Sequence, residues 1–65
     1  MRVRERGLNF EEIQVVNYHD KKTQQTRGEH GGFIYKYEKS AEGVILVVIA
    51  ESKKNEHWLI SGWRF

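Results

Sequence analysis

Two places in this chain of 65 residues carry side chains that can move protons or hold an anion. The first is a glycine-rich stretch with Arg27, Glu29 and His30, which puts a cation, a carboxylate and an imidazole on one turn. The second is the ending Trp63-Arg64-Phe65, where a guanidinium follows one aromatic residue and precedes another. Imidazoles and carboxylates can act as general acids or bases, and a guanidinium can bind two oxygens of one phosphate. The sequence therefore offers groups for acid-base chemistry and for anion binding.

Each candidate also has a simpler role that the sequence supports. His30 and Glu29 are also typical of a solvated turn, and His57 of an exposed residue at the start of a strand. Arg64 can pair with an acid or with the terminal carboxylate. Most of the aromatic residues are needed for a core in a domain this small. The three histidines lack the spacing of metal ligands, so we predict no metal site and no cofactor.

A long apolar run, residues 43–50, is the element that should position these groups. Its composition is β-branched and both of its faces are apolar, which predicts a strand at the centre of a sheet. The last segment, residues 57–65, is predicted to pair with it as a hairpin. The intervening residues 51–56 are highly charged, and we expect them to form a solvated loop.

A short helix is predicted at the start of the domain. Asn9 is a suitable N-cap, and Glu12 three residues later completes a capping box, so the helix should run to about Asn17. Its apolar face is expected to consist of residues spaced three apart, namely Phe10, Ile13 and Val16. The preceding arginines, at positions 2, 4 and 6, are predicted to lie in a second short helix or a solvated arm.

The middle of the chain reads as strands separated by turns. Residues 23–27 have the polar composition of an edge strand, residues 28–32 form a glycine-rich turn, and residues 33–38 alternate as a half-buried strand. Residues 39–43 connect that strand to the central one. The prediction is a single α+β domain over residues 1–65, with one or two short N-terminal helices packed on a mostly antiparallel sheet of three to four strands.

The composition limits the class of protein. No apolar run approaches the roughly 20 residues of a membrane span, and there is no cysteine, so we expect a cytoplasmic protein that does not cross a membrane. A net charge of +2 at pH 7 permits nucleic acid as a partner. So short a chain buries little surface, which favours completion by a partner or by a second copy in a homo-oligomer.

Several short motifs resemble the small bacterial RelE/barnase-like domains. They are the opening Arg-x-Arg-Glu-Arg-Gly-Leu with the acidic helix Phe-Glu-Glu-Ile, the glycine-rich polar middle, and the final strands with Leu46-Val-Val48 and Trp63-Arg-Phe65. The order of elements is similar over most of the chain. The chain lacks the terminal histidine often found in that family.

The resemblance implies a toxin, or a ribonuclease derived from one, that cleaves RNA without a metal and is bound by a cognate antitoxin. Such cleavage needs a base, an acid and positive charge on the phosphorane. The catalytic candidates are His30, Glu29 and Arg64. The RNA-binding candidates are Arg27, Lys36, His57 and Tyr35. The alternative is a module of the same fold that binds RNA or protein without catalysis, encoded by a phage or mobile element.

Overall fold

In the described residues, five strands form one sheet, and a helix of eight residues lies against it. The computed structural model describes residues 4–6, 8–54 and 56–65. In chain order the elements are β1 (Arg4–Arg6), α1 (Phe10–Asn17), β2 (Lys21–Arg27), β3 (Phe33–Ala41), β4 (Val44–Lys53) and β5 (Glu56–Arg64). The predicted α+β class is confirmed, with one helix on an antiparallel sheet of four strands, β2 to β5.

The short strand β1 was not predicted. Arg4 and Arg6 lie in β1, which pairs in parallel with β5, so the expectation of a helix or a solvated arm is wrong for these two residues. Arg2 lies outside the described residues. Pairing with the edge of β5 gives the backbone of this polar segment hydrogen-bond partners that a sequence pattern does not reveal.

The central position of β4 is confirmed. The sheet order is β1-β5-β4-β3-β2, so two strands lie on each side of β4. Val47 and Val48 point to opposite faces, and both are at most 2% exposed. β2 is the predicted polar edge strand, and every one of its residues is exposed.

The helix begins as predicted, although its buried face differs. The Asn9 side chain accepts from the Glu12 backbone N–H at 2.8 Å, and the Glu12 side chain accepts from the Asn9 backbone N–H at 2.9 Å. Val15 and Val16 are buried, as expected for Val16, but Phe10 is 76% exposed. Because each helical residue turns by about 100°, Phe10 lies roughly opposite the point midway between the two valines.

The charged segment after the apolar run belongs largely to β4. The prediction that residues 51–56 form a solvated loop is wrong, because β4 continues to Lys53 and Glu51 is only 3% exposed. The strand can extend because β3 also extends back to Phe33 and supplies pairing partners as far as Ser52. At its other end β4 is joined to β3 by Glu42 and Gly43, both with positive φ, which is typical of a tight hairpin turn.

The two faces of the sheet differ in what covers them. On the face called here the helix side, Val15 and Val16 pack with Tyr37, Val48 and Ala50 to form the core. The face called here the open side carries the alternate residues, among them Ile34, Ile45, Val47, Ile49, Trp58 and Trp63. Helix α1 thus covers one face of the sheet, the helix side. This helix is neither long nor apolar enough to cross a membrane.

Candidate functional site

A row of side chains crosses the helix side of the sheet beyond the core. Arg27, Phe33, Ser52 and His57 are neighbours in register on β2, β3, β4 and β5. Directly opposite residues on paired strands point to the same face, so this row shares the side of Tyr37 and Val48. Arg27 is exposed and the other three are half-buried. We call these four residues the cross-strand row.

Cations of the edge strand lie over aromatic rings of β3. The Arg27 guanidinium carbon is 5.6 Å from the centre of the Phe33 ring. The Lys22 ammonium is 4.2 Å from the centre of the Tyr35 ring. A cation at this distance is attracted to the ring face, and because both cations are on an exposed edge strand they stay accessible to an anion. The edge of the sheet thus combines positive charge with half-buried aromatic surface.

A hydrogen-bonded chain links the core to the cross-strand row. The Tyr37 hydroxyl lies 2.6 Å from Ser52 Oγ, and Ser52 Oγ lies 2.7 Å from His57 Nδ1. Burial raises the pKa of Tyr37 above its usual 10.0, although the hydrogen bond with Ser52 opposes this effect, so the phenol keeps its proton at neutral pH. A buried hydroxyl proton needs an acceptor, and among the described contacts of Tyr37 that acceptor is Ser52 Oγ.

The direction of this chain determines the tautomer of His57. If Tyr37 donates to Ser52, the Ser52 hydroxyl proton is available to His57 Nδ1, and the imidazole hydrogen is then on Nε2. The sequence suggested that His57 is an exposed hairpin residue, and this is wrong, because the structure shows it half-buried and bonded to Ser52. His57 is therefore a held and oriented imidazole at the end of the cross-strand row.

The glycine-rich turn is attached to β4 by a residue that the sequence did not single out. Glu51 Oε2 accepts the backbone N–H of His30 at 2.8 Å and that of Gly32 at 2.9 Å. The ring of His30 stacks on Trp58, with centres 4.1 Å apart and planes at 11°. A polar turn rich in glycine has backbone donors to satisfy, and an acidic residue extending an apolar strand is a signal that could have identified the acceptor. Glu51 holds the turn to the sheet.

The three predicted catalytic residues lie in two separate regions. Arg64 is opposite Leu46 on the helix side, and its Nη1 is 3.5 Å from Glu11 Oε2, with both side chains largely exposed. His30 is bonded through its backbone to Glu51, which is five residues further along β4 and on the open side. The structure therefore does not bring Arg64 to His30 or to its neighbour Glu29, which is exposed.

The predicted RNA-binding residues divide between the two faces. Arg27, Tyr35 and His57 lie on the helix side, in or beside the cross-strand row. Lys36 is opposite Ile49 and lies on the open side.

Comparisons of the chain with protein-family models, with curated proteins and with solved structures found no significant match. Within residues 4–6, 8–54 and 56–65, no three acidic, histidine or cysteine side chains are grouped to hold a metal ion. The geometry of the cross-strand row and its neighbours is therefore what indicates a function.

Proposed function

We propose that this domain binds single-stranded RNA on the helix side of its sheet, through Arg27, Phe33, Tyr35 and His57. The observation that carries the proposal is the pairing of edge-strand cations with aromatic rings at 4.2 and 5.6 Å, on the same face as the oriented imidazole of His57. Of the four residues selected from the sequence for RNA binding, three belong to this surface.

The chemistry of the surface suits a flexible nucleic acid strand. Proteins bind single strands by tracking the phosphates with cations and by stacking bases on aromatic side chains. Arg27 and Lys22 supply the cations, and Phe33 and Tyr35 supply partly exposed rings beside them. The imidazole of His57 lies on the same face, where its hydrogen bond with Ser52 orients it. The resemblance to RelE/barnase-like domains also supports RNA as the ligand.

The test is RNA binding by fluorescence anisotropy with a labelled single-stranded oligonucleotide at low salt. Arg27→Ala is expected to weaken binding about tenfold and to reduce the salt dependence, because one phosphate contact is lost. Arg64→Ala is the matched control, since it removes the same charge from the far end of the sheet and should change affinity little. The proposal fails if wild type shows no affinity at low salt, or if Arg64→Ala weakens binding as much as Arg27→Ala.

A second candidate function is metal-independent cleavage of the bound RNA, and the Tyr37–Ser52–His57 chain favours it. In such a reaction the 2′ oxygen attacks phosphorus, the bond to the 5′ oxygen breaks, and a cyclic 2′,3′-phosphate and a 5′-hydroxyl form. A base takes the 2′ proton and an acid protonates the leaving oxygen. His57 can act as this base in the tautomer whose Nδ1–H donates to Ser52 Oγ, which is the opposite direction of the chain from the one in which Tyr37 donates. The domain would then be a RelE-like toxin, and a cognate antitoxin would inhibit it.

Cleavage is tested by electrophoresis of end-labelled RNA and by growth of bacteria that express the domain. If His57 transfers a proton, His57→Ala should abolish both the cyclic phosphate product and any growth inhibition, while Arg27, Phe33 and Tyr35 retain part of the RNA affinity. If wild type binds RNA but releases no cleaved product and does not slow growth, the domain is a binding module without catalysis.

A further inference from the structure

We propose that the open side of the sheet is the interface of a symmetric dimer, formed by a second copy of this chain. The open side is apolar along β4 from Ile45 to Ile49, and it also carries Ile34 of β3 and the tryptophans Trp58 and Trp63 of β5. Trp63 is 46% exposed and the neighbouring Phe65 is 69% exposed. Apolar patches that span several strands of a small protein mark interaction surfaces.

Part of the open side is free to receive a second copy. The helix packs on the other side of the sheet, and the glycine-rich turn lies at the end of the open side where His30 stacks on Trp58. A second sheet can therefore lie against the remainder of the open side, around Trp63 and the middle of β3 and β4, as in a two-sheet sandwich.

The charges on this face point to a second copy as the occupant. Lys36 and Glu38 both lie on the open side and are half-buried, two residues apart on β3. In the described part of the chain, the ion pair shown is between Arg64 and Glu11, and neither Lys36 nor Glu38 takes part in one. Lys36 and Glu38 make the middle of this face complementary to itself, because a two-fold axis that passes between them brings each residue of the pair to the other in the second copy.

One position of the axis pairs the residues in the middle of the face. An axis in the interface plane along the row Tyr37–Val48–Gly62 places Lys36 of one copy against Glu38 of the other. The same axis places Ile49 against Val47, and the large Trp63 against the small Ser61 of the second copy. Each of these pairs occurs twice, as an isologous interface requires. The dimer leaves the cross-strand row exposed, so this inference does not depend on RNA binding.

The experiment exchanges the charges of Lys36 and Glu38 and measures the oligomeric state of each variant by sedimentation over a range of protein concentrations. Lys36→Glu and Glu38→Lys each put like charges against each other twice, and each should raise the dimer dissociation constant at least about tenfold. The double variant K36E/E38K restores opposite charges and should recover wild-type association. Lys39→Glu is the matched control, because Lys39 is on the same strand but opposite Leu46, on the helix side.

Circular dichroism of every variant separates dissociation from unfolding. If a single variant dissociates and unfolds together, recovery of both the fold and the dimer in K36E/E38K still supports the pairing. A wild-type chain that stays monomeric at every concentration overturns the proposal and leaves the open side to a different protein. A double variant that stays monomeric while folded, or a Lys39→Glu chain that dissociates equally, also overturns it.

Discussion

Replacement of Glu51 tests how the glycine-rich turn is held to the sheet. Glu51 is 3% exposed, and one of its carboxylate oxygens accepts two backbone N–H groups, from His30 and Gly32. In Glu51→Ala both N–H groups lose their acceptor. A buried N–H group without an acceptor costs about 1–3 kcal/mol, so we expect the free energy of unfolding to fall by about 2–5 kcal/mol. A domain of this length has only about 3–10 kcal/mol in total.

Glu51→Gln separates the hydrogen bonds from the charge. An amide oxygen in the place of Oε2 can accept both N–H groups, so the variant loses only the added strength of a charged acceptor. We expect a cost of about 1 kcal/mol, well below that of Glu51→Ala. Urea denaturation followed by tryptophan fluorescence measures both variants. If Glu51→Gln and Glu51→Ala lowered the free energy of unfolding equally, the two hydrogen bonds would not be the main contribution of Glu51 to stability.

A double-mutant cycle with Gly28 makes the test sharper. A Cβ atom placed on Gly28 would overlap the carboxyl group of Glu51, so Gly28→Ala should displace that carboxylate and destabilise the domain. When Glu51 is already Ala, the overlap is removed and Gly28→Ala should add little. The two changes should therefore be strongly non-additive. Additive losses would show that Gly28 and Glu51 do not act as one unit, which contradicts the packing described here.

Three further substitutions have defined outcomes. Asn9→Ala removes a cap whose two hydrogen bonds are in place, so thermal denaturation should show a loss of about 1 kcal/mol, and an unchanged midpoint would contradict this. The pKa of Tyr37 in the folded protein lies above the usual 10.0, so the contribution of its protonated hydroxyl to the free energy of unfolding is complete below pH 10 and is lost as the pH rises through the folded pKa. In urea titrations at increasing pH, Tyr37→Phe should therefore lose less stability than the wild type. Arg64→Ala breaks an exposed ion pair with Glu11 and should change the free energy of unfolding by less than about 1 kcal/mol, so a larger loss would show that Arg64 has further contacts.

Local signals explain why part of the fold could be predicted. The capping box at Asn9 and Glu12 acts within one turn of helix, and the apolar run of β4 needs no knowledge of its neighbours. Glu51 and the strand β1 could not be predicted in the same way. Both depend on partners distant in sequence, since Glu51 accepts from a turn about twenty residues earlier and β1 pairs with the last strand.

The candidate site depended on the register of β5, which the sequence does not reveal. His57 and Arg64 are an odd number of residues apart, so a regular strand would place them on opposite faces. The pairing shifts between Ile49 and Ala50, where Ser61 and Leu59 are the partners and Ile60 is the extra residue. This bulge puts both His57 and Arg64 on the helix side. The faces of these two residues could therefore not be derived from alternation alone.

The same bulge brings the two tryptophans to one face. Trp58 and Trp63 are also an odd number of residues apart, and without the extra Ile60 one of them would point toward the helix. With the bulge both lie on the open side, where Trp58 stacks on His30 and Trp63 is opposite Val47. One inserted residue thus places His57 among polar and aromatic groups on the helix side, and places both tryptophans on the open side. The RNA surface and the dimer interface that we propose lie on opposite sides of the sheet for this reason.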